Sequence, residues 1–317
     1  MKGVSLRPEQ FGSHLAKAGP ALAALYVIAG DEPLLVIEAG DALRAAARQA
    51  GFTDRRSLLM DARSDWNALA GNASSGSLFG DKQLLEVRLP TGKPGKVGGD
   101  VLIRLAQQAE QGVDDTLTVI QLPRLDRTLR AAPWFLALAK AGVLVDIPTI
   151  DRPALPAWIG TRLAAQGQSA DRDALSWIAD RVEGNLLAAH QEILKLGLAY
   201  PPGKLSIEQV QDAVMNVARY NAFKLREAIQ AGDAVRVVRM LEGLRAEGEA
   251  LPLVLWAVTQ TWGRAPHTAG AAAIRHAHDI DRLIKGLSAP GRLGDPWQEL
   301  TTLALRLTRQ STARPQP

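Results

Sequence analysis

Short apolar runs alternate with amphipathic stretches over the first 149 residues. The runs are Leu25-Tyr26-Val27-Ile28-Ala29, Ser57-Leu58-Leu59-Met60-Asp61, Leu84-Leu85-Glu86-Val87-Arg88-Leu89, Leu117-Thr118-Val119-Ile120-Gln121-Leu122 and Val143-Leu144-Val145-Asp146-Ile147. Several are apolar at consecutive positions, as expected of parallel strands covered by helices on both faces. Residues 33–50, a region around 66–73, 100–112 and 125–140 carry helical spacing. Strand–helix alternation predicts an α/β domain built on a five-stranded parallel sheet with right-handed crossovers.

After Pro148 the strand signals stop. Asp151-Arg152-Pro153 reads as an N-cap followed by a first-turn proline. Helical spacing covers 153–167, 171–183, 185–199 and 206–217. The last of these opens with the capping box Ser206-Ile207-Glu208-Gln209. Further helices are expected at 221–231, 233–247, 252–264, near 271–287 and at 295–310. Gly232, Gly248, Pro252, Pro266 and Pro290-Gly291 punctuate them. The expected organisation is an α/β domain at 1–149, a small helical domain at 150–217 and a second helical domain at 218–317.

One segment breaks the pattern. Asp65-Trp66-Asn67-Ala68-Leu69 leads into Gly71-Asn72-Ala73-Ser74-Ser75-Gly76-Ser77-Leu78-Phe79-Gly80, a polar Gly/Ser stretch ending in two large apolar side chains. Leu78 and Phe79 at such a tip suit a pocket on another protein. Read alone, the segment is equally consistent with both folding back under the sheet.

Composition narrows the chemistry. The chain of 317 residues holds no cysteine, which excludes disulfides, thiolate metal sites and Cys nucleophiles. The five histidines, His14, His190, His267, His276 and His278, lack metal-ligand spacing. The first residues lack the apolar core of a signal peptide, and the longest apolar stretch, 21–30, is too short to span a bilayer. Cytoplasmic residence is expected. The net charge of +4 is uneven: residues 218–317 carry 14 basic against 9 acidic side chains. That excess permits contact with nucleic acid or an acidic partner, although a solvated helical face gives the same count.

The first predicted strand runs into Gly30-Asp31-Glu32-Pro33-Leu34-Leu35 and a helix, where nucleotide-binding α/β domains place their phosphate loop. Here it has one glycine, no lysine and two acids. Gly92-Lys93-Pro94, Gly95-Lys96-Val97 and Gly203-Lys204-Leu205 also lack the Ser/Thr and upstream glycine of a phosphate loop. Pro123-Arg124-Leu125-Asp126 lacks the acidic pair that would hold Mg²⁺. No Ser/His/Asp or paired-carboxylate arrangement stands out. No catalytic residue, cofactor site or metal site is expected.

The chain resembles the delta subunits of the bacterial DNA polymerase III clamp loader. The resemblance is carried by Gly30-Asp31-Glu32-Pro33-Leu34-Leu35, Asp65-Trp66, Ser77-Leu78-Phe79, Arg88-Leu89-Pro90-Thr91-Gly92-Lys93-Pro94-Gly95, Glu183-Gly184-Asn185-Leu186-Leu187, Asp281-Arg282-Leu283-Ile284-Lys285-Gly286-Leu287 and Asp295-Pro296-Trp297. It implies an AAA+ type module, made of the sheet domain and a helical lid, followed by a helical collar that oligomerises. It further implies a catalytically inert subunit of a polymerase holoenzyme. Ser77, Leu78 and Phe79 would enter a pocket on the sliding clamp, sister subunits would bind ATP, and primer–template DNA would sit inside the assembly. Gly30, Asp31, Glu32 and Pro33 would be a degenerate phosphate loop. The alternatives are an ATPase with a degenerate loop or another non-catalytic subunit of the same loader. One departure is a collar that looks short by about one helix near 265–275. Trp134, Trp158, Trp177, Trp256 and Trp262 read as core, and Trp66 as packing the helix that leads to the loop.

Overall fold

In this computed structural model, residues 3–66, 69, 82–112, 115–214, 222–262 and 270–312 are described. The chain divides into two compact units, Met1–Ile150 and Asp151–Pro317. The expected division of the second unit at 217–218 falls outside the described residues.

The first unit runs β1 (Val4–Leu6), α1 (Pro8–Ala18), β2 (Leu25–Ala29), α2 (Pro33–Gln49), β3 (Phe52–Leu59), β4 (Lys82–Arg88), α3 (Gly95–Gln111), β5 (Thr116–Leu122), α4 (Arg127–Arg130), α5 (Pro133–Ala141) and β6 (Val143–Asp146). All strands are parallel, in the order β1-β6-β2-β5-β4-β3. Every residue of β2 is buried, as a central strand covered on both faces requires. Leu85 and Val87 of β4, Ile120 of β5 and Leu102 and Leu105 of α3 share one apolar cluster with Val27 of β2.

The sheet has six strands where the sequence predicts five. The added β1 is three residues long at the edge beside β6, too short for a period-two pattern to register. β3 begins at Phe52, five residues before the predicted start, because this opposite edge strand carries exposed polar residues from Thr53 to Ser57. α3 starts at Gly95 rather than residue 100; Gly98 and Gly99 weaken the helical signal there. The expected helix at 125–140 is two pieces, with Pro133 opening the second.

The second unit contains α6 (Leu155–Ala165), β7 (Gln168–Ala170), α7 (Arg172–Val182), α8 (Leu186–Ala199), β8 (Gly203–Leu205) and α9 (Ile207–Ala213). It continues with α10 (Ala222–Gln230), α11 (Ala234–Ala246), α12 (Leu251–Thr259), a 3₁₀ turn Gln260–Trp262, α13 (Gly270–Ile284) and α14 (Pro296–Thr312). β7 and β8 form a parallel pair that the sequence pattern missed, each being only three residues long. The capping box is formed: Ser206 Oγ accepts from the Gln209 amide at 3.3 Å and Gln209 Oε1 accepts from the Ser206 amide at 2.8 Å. α6 starts later than predicted, and the Asp151 carboxylate pairs with Lys224 at 2.8 Å instead of capping it. Gly184 adopts φ +76°, and Asn185 caps α8 through the Ala188 amide at 3.2 Å. The buried residues of the last five helices, from Ala222 to Leu307, form one core.

Trp134 is core, as expected. Trp158 and Trp177 are half-buried, each with an arginine over its ring, Arg162 at 4.8 Å and Arg181 at 4.1 Å. Trp256 is 48% exposed and packs edge-on against Phe223 at the surface, so its helical spacing misled. The Trp262 side chain lies outside the described residues.

The sheet also encloses a charge. Glu86 in β4 is buried, and its carboxylate is shared between Arg44 of α2 at 3.1 Å and Arg55 of β3 at 2.8 Å. Burial alone would raise this carboxyl; hydrogen bonds and charge from Arg55 and Arg44 outweigh it and hold it below the usual glutamate range. Glu86→Gln is expected to destabilise the protein by about 3 kcal/mol at neutral pH, because it leaves two guanidinium groups against a neutral amide. The depressed folded value makes the stabilisation fully present above the unfolded glutamate pKa of about 4.3 and lost as pH falls through the folded value. Urea melts of both proteins from pH 7 to pH 3 should show the gap narrowing only on the acid side; a pH-independent gap would assign the effect to packing.

Candidate functional site

Two positions on the first unit bear on function: the loop after β2 and the connection from β3 to β4. β2 and β5 end side by side at the C-terminal edge of the sheet, where α/β proteins bind ligands. The Gly30 amide donates to the Leu122 carbonyl at 3.1 Å, and the Ile147 amide donates to the Ala29 carbonyl at 2.8 Å. The chain is so tight here that a Cβ on Gly30 would overlap both the Ile147 carbonyl and its side chain. The loop is thus pinned between the two neighbouring strands.

Its side chains are already engaged. The Asp31 carboxylate accepts the Arg124 amide at 2.8 Å, joining the loop after β2 to the loop after β5. Glu32 is the N-cap residue of α2, and burial raises its carboxyl, with the Leu34 amide opposing. Pro33 at the helix start offers no N–H. A phosphate at this helix N-terminus would meet two acids and a proline ring, where binding needs amides and a cation. After β5, Asp126 accepts the Leu129 amide at 2.8 Å and so caps α4. The structure places Gly30, Asp31, Glu32 and Pro33 between β2 and α2, with Asp31 held by the Arg124 amide.

The β3–β4 connection begins with a built anchor. Asp61 accepts from the Arg63 amide at 2.8 Å and from Ser64 Oγ at 3.0 Å, closing a tight turn. These hydrogen bonds hold its carboxyl below the usual aspartate range. Trp66 follows, buried, with its indole N–H donated to the Asp61 carbonyl at 2.8 Å. Its ring lies on the backbone of α3 at Gly98, where a Cβ would overlap it, Cζ2 being 2.8 Å away. Leu69 is buried in the same cluster. At the far end, the Lys82 ammonium stands over the Phe52 ring at 5.3 Å. Ser77, Leu78 and Phe79 lie between these ends, outside the described residues.

Sequence reasoning missed the ion pairs Arg44–Glu86–Arg55 and Glu183–Arg236. The first had a signal: a glutamate between Leu85 and Val87 in a doubly covered strand needs a cation partner. The second had none, because its partners are 53 residues apart. Among the described residues, no group of three or more His, Asp or Glu is arranged to hold a metal ion, and no helix is long and apolar enough to cross a membrane.

The first unit is thus a parallel α/β sheet whose loop after β2 carries two acids, with Asp31 held by the Arg124 amide. The family described as DNA polymerase III, delta subunit, matches residues 26–147. The chain is 32% identical to DNA polymerase III subunit delta of Escherichia coli K12 over 252 residues, covering 80% of this chain and 71% of that protein. It is 30% identical to the same subunit of Haemophilus influenzae over 253 residues, covering 78% and 71%. It belongs to the DNA polymerase III delta-subunit family. The fold is also similar to that of a Bacillus subtilis DNA clamp loader delta protein, with a TM-score of 0.54 at 16% identity, covering 95% of this chain and 99% of the other.

Gly98 gives a direct test of the Trp66 anchor. Alanine in a helix interior ordinarily gains about 1 kcal/mol over glycine. Here overpacking against the indole should cost about 1–3 kcal/mol and win. Gly98→Ala is expected to lower the melting temperature and shift tryptophan emission; a more stable variant with unchanged fluorescence would show that α3 and Trp66 do not press on each other.

Proposed function

We propose that this chain is a non-catalytic subunit of a clamp loader, part of a DNA polymerase III holoenzyme, that binds and opens the sliding clamp for loading onto primed DNA. Membership of the delta-subunit family carries this reading. The pinned, acid-filled loop after β2 supports it, since it offers a triphosphate no cation and no first-turn amide at Pro33. On this reading the first unit is an AAA+ type domain, α6–α9 are its lid and α10–α14 are the oligomerising collar. Sister subunits bind ATP, and the protein works in the cytoplasm.

Ser77, Leu78 and Phe79 form the clamp-binding tip. Burying Leu78 and Phe79 contributes about 1.5–3 kcal/mol each. Their effect on ring opening is limited to the difference in affinity between open and closed clamp. The anchor at Trp66 and the start of β4 fix both ends of the segment, which reduces the ordering cost when the tip docks.

The purified chain is expected to bind the clamp without nucleotide. Leu78→Ala with Phe79→Ala should weaken that binding by at least about 2 kcal/mol, a hot-spot loss, with an unchanged circular dichroism spectrum. Equal affinity in the folded double variant would remove the tip from the interface.

The same preparation should neither bind ATP tightly nor release phosphate from it. Calorimetric titration checks the first and a phosphate-release assay the second. Micromolar binding abolished by substitution at Asp31 or Glu32 would favour the ATPase alternative.

A further inference from the structure

Within the second unit, two groups of helices meet through charge. α6–α9 bury their own apolar residues, among them Ile159, Ile178, Val182 and Ile193. The core of α10–α14 draws its buried residues from Ala222 to Leu307 alone. Between the groups stands a row of ion pairs. Glu183, at the end of α7, is bound by Arg236 of α11, with Nε at 3.3 Å. One turn back, Asp180 accepts from Arg239 of α11 at 3.0 Å and from Arg152, just before α6, whose Nε lies at 2.9 Å. Asp151 pairs with Lys224 of α10 at 2.8 Å.

These pairs are graded in exposure. Glu183 and Arg236 keep only 7% and 16% of their side-chain surface, whereas Asp151 and Lys224 keep 62% and 41%. Two interlocked apolar faces cannot separate without exposing a dry surface. An ionic seam with one wet end can part from that end, because each exposed charge recovers water as it loses its partner. Glu183 is the exception while the seam is closed: buried, it requires Arg236.

We propose that this seam is an electrostatic hinge. It holds α6–α9 at a fixed angle to α10–α14 when closed and lets the two groups change angle when its charges are neutralised. Arg236 on Glu183 is the pin, and Asp180 with Arg239 and Arg152 is its support. The inference is independent of the clamp-binding tip, which lies in the other unit.

The absence of cysteine makes the test clean. Leu198 on α8 and Thr302 on α14 are exposed, so Leu198→Cys with Thr302→Cys takes a spin-label pair on the full chain. The distance distribution between labels is expected to be narrow at about 0.1 M salt and to change little at about 1 M, because the buried Glu183–Arg236 pin is screened far less than an exposed pair. Glu183→Gln with Asp180→Asn should broaden it at low salt. The exchange Glu183→Arg with Arg236→Glu should restore the narrow form, while Asp295→Asn, which removes the Arg245 pair elsewhere in the unit, should change nothing. A distribution that stays narrow in the neutralised variant would overturn the hinge. So would one already broad in the parent at low salt. If the double neutralisation unfolds the chain, Asp180→Asn alone, which leaves the buried pair in place, is expected to broaden the distribution, and an unchanged one would overturn the hinge.

Discussion

Burial of β2 on both faces is the constraint on which the first unit depends. Its five residues contribute no surface to solvent, so helices must cover both sides of the sheet and each parallel neighbour must arrive by a crossover. The crossovers place the loops after β2, β4 and β5 along one edge. The same constraint explains Gly30. Where β2 emerges between β5 and β6, the neighbouring backbones are too close for a side chain. The loop is tight because the strand is central, and a tight loop leaves little freedom to be remodelled around a ligand.

Charge is admitted to this interior on strict terms. Glu86 lies in a strand whose neighbours are apolar, and it is tolerated because Arg44 reaches it from the helix layer and Arg55 from the adjacent edge strand. The pair of arginines joins α2 to β3 and β4. In the C-terminal bundle a related solution appears. His276 and Glu299 are buried 2.6 Å apart, and Glu299 also accepts the Leu293 amide at 2.8 Å, fixing the loop before α14. Both networks use a buried carboxylate to fasten elements that apolar contact leaves underdetermined.

The parts of the fold legible in the sequence are those where periodicity is enforced by burial on a large scale. β2, β5 and the helices of the second unit were readable because each offers an apolar face over several turns or a full strand. β1, β7 and β8 were not, because three residues cannot establish a period and their partners lie 139 positions away for β1 and 35 for β7 and β8. β3 was only half legible, since an edge strand facing water need not alternate. Trp256 shows the opposite failure. It holds a helical position suited to a core, yet its surroundings leave it at the surface beside Phe223. At the candidate site, the loop of Gly30 to Pro33 was legible as a place, and its chemistry was legible from residue types alone. The contact of Asp31 with the Arg124 amide, 93 residues away, was not, nor was the seating of Trp66 on Gly98.

That long-range contact bears on how the loop after β2 is held at the edge of the sheet. In a phosphate-binding loop the helix N-terminus is satisfied by the ligand, and the empty loop is free to be disordered. Here Asp31 ties the loop to β5, Pro33 removes one of the amides that would need a partner, and Glu32 supplies negative charge at the positive end of α2. The loop is thus fastened by the protein's own contacts. A loop fastened on both sides in this way lowers the ordering cost of any contact made from the same edge of the sheet.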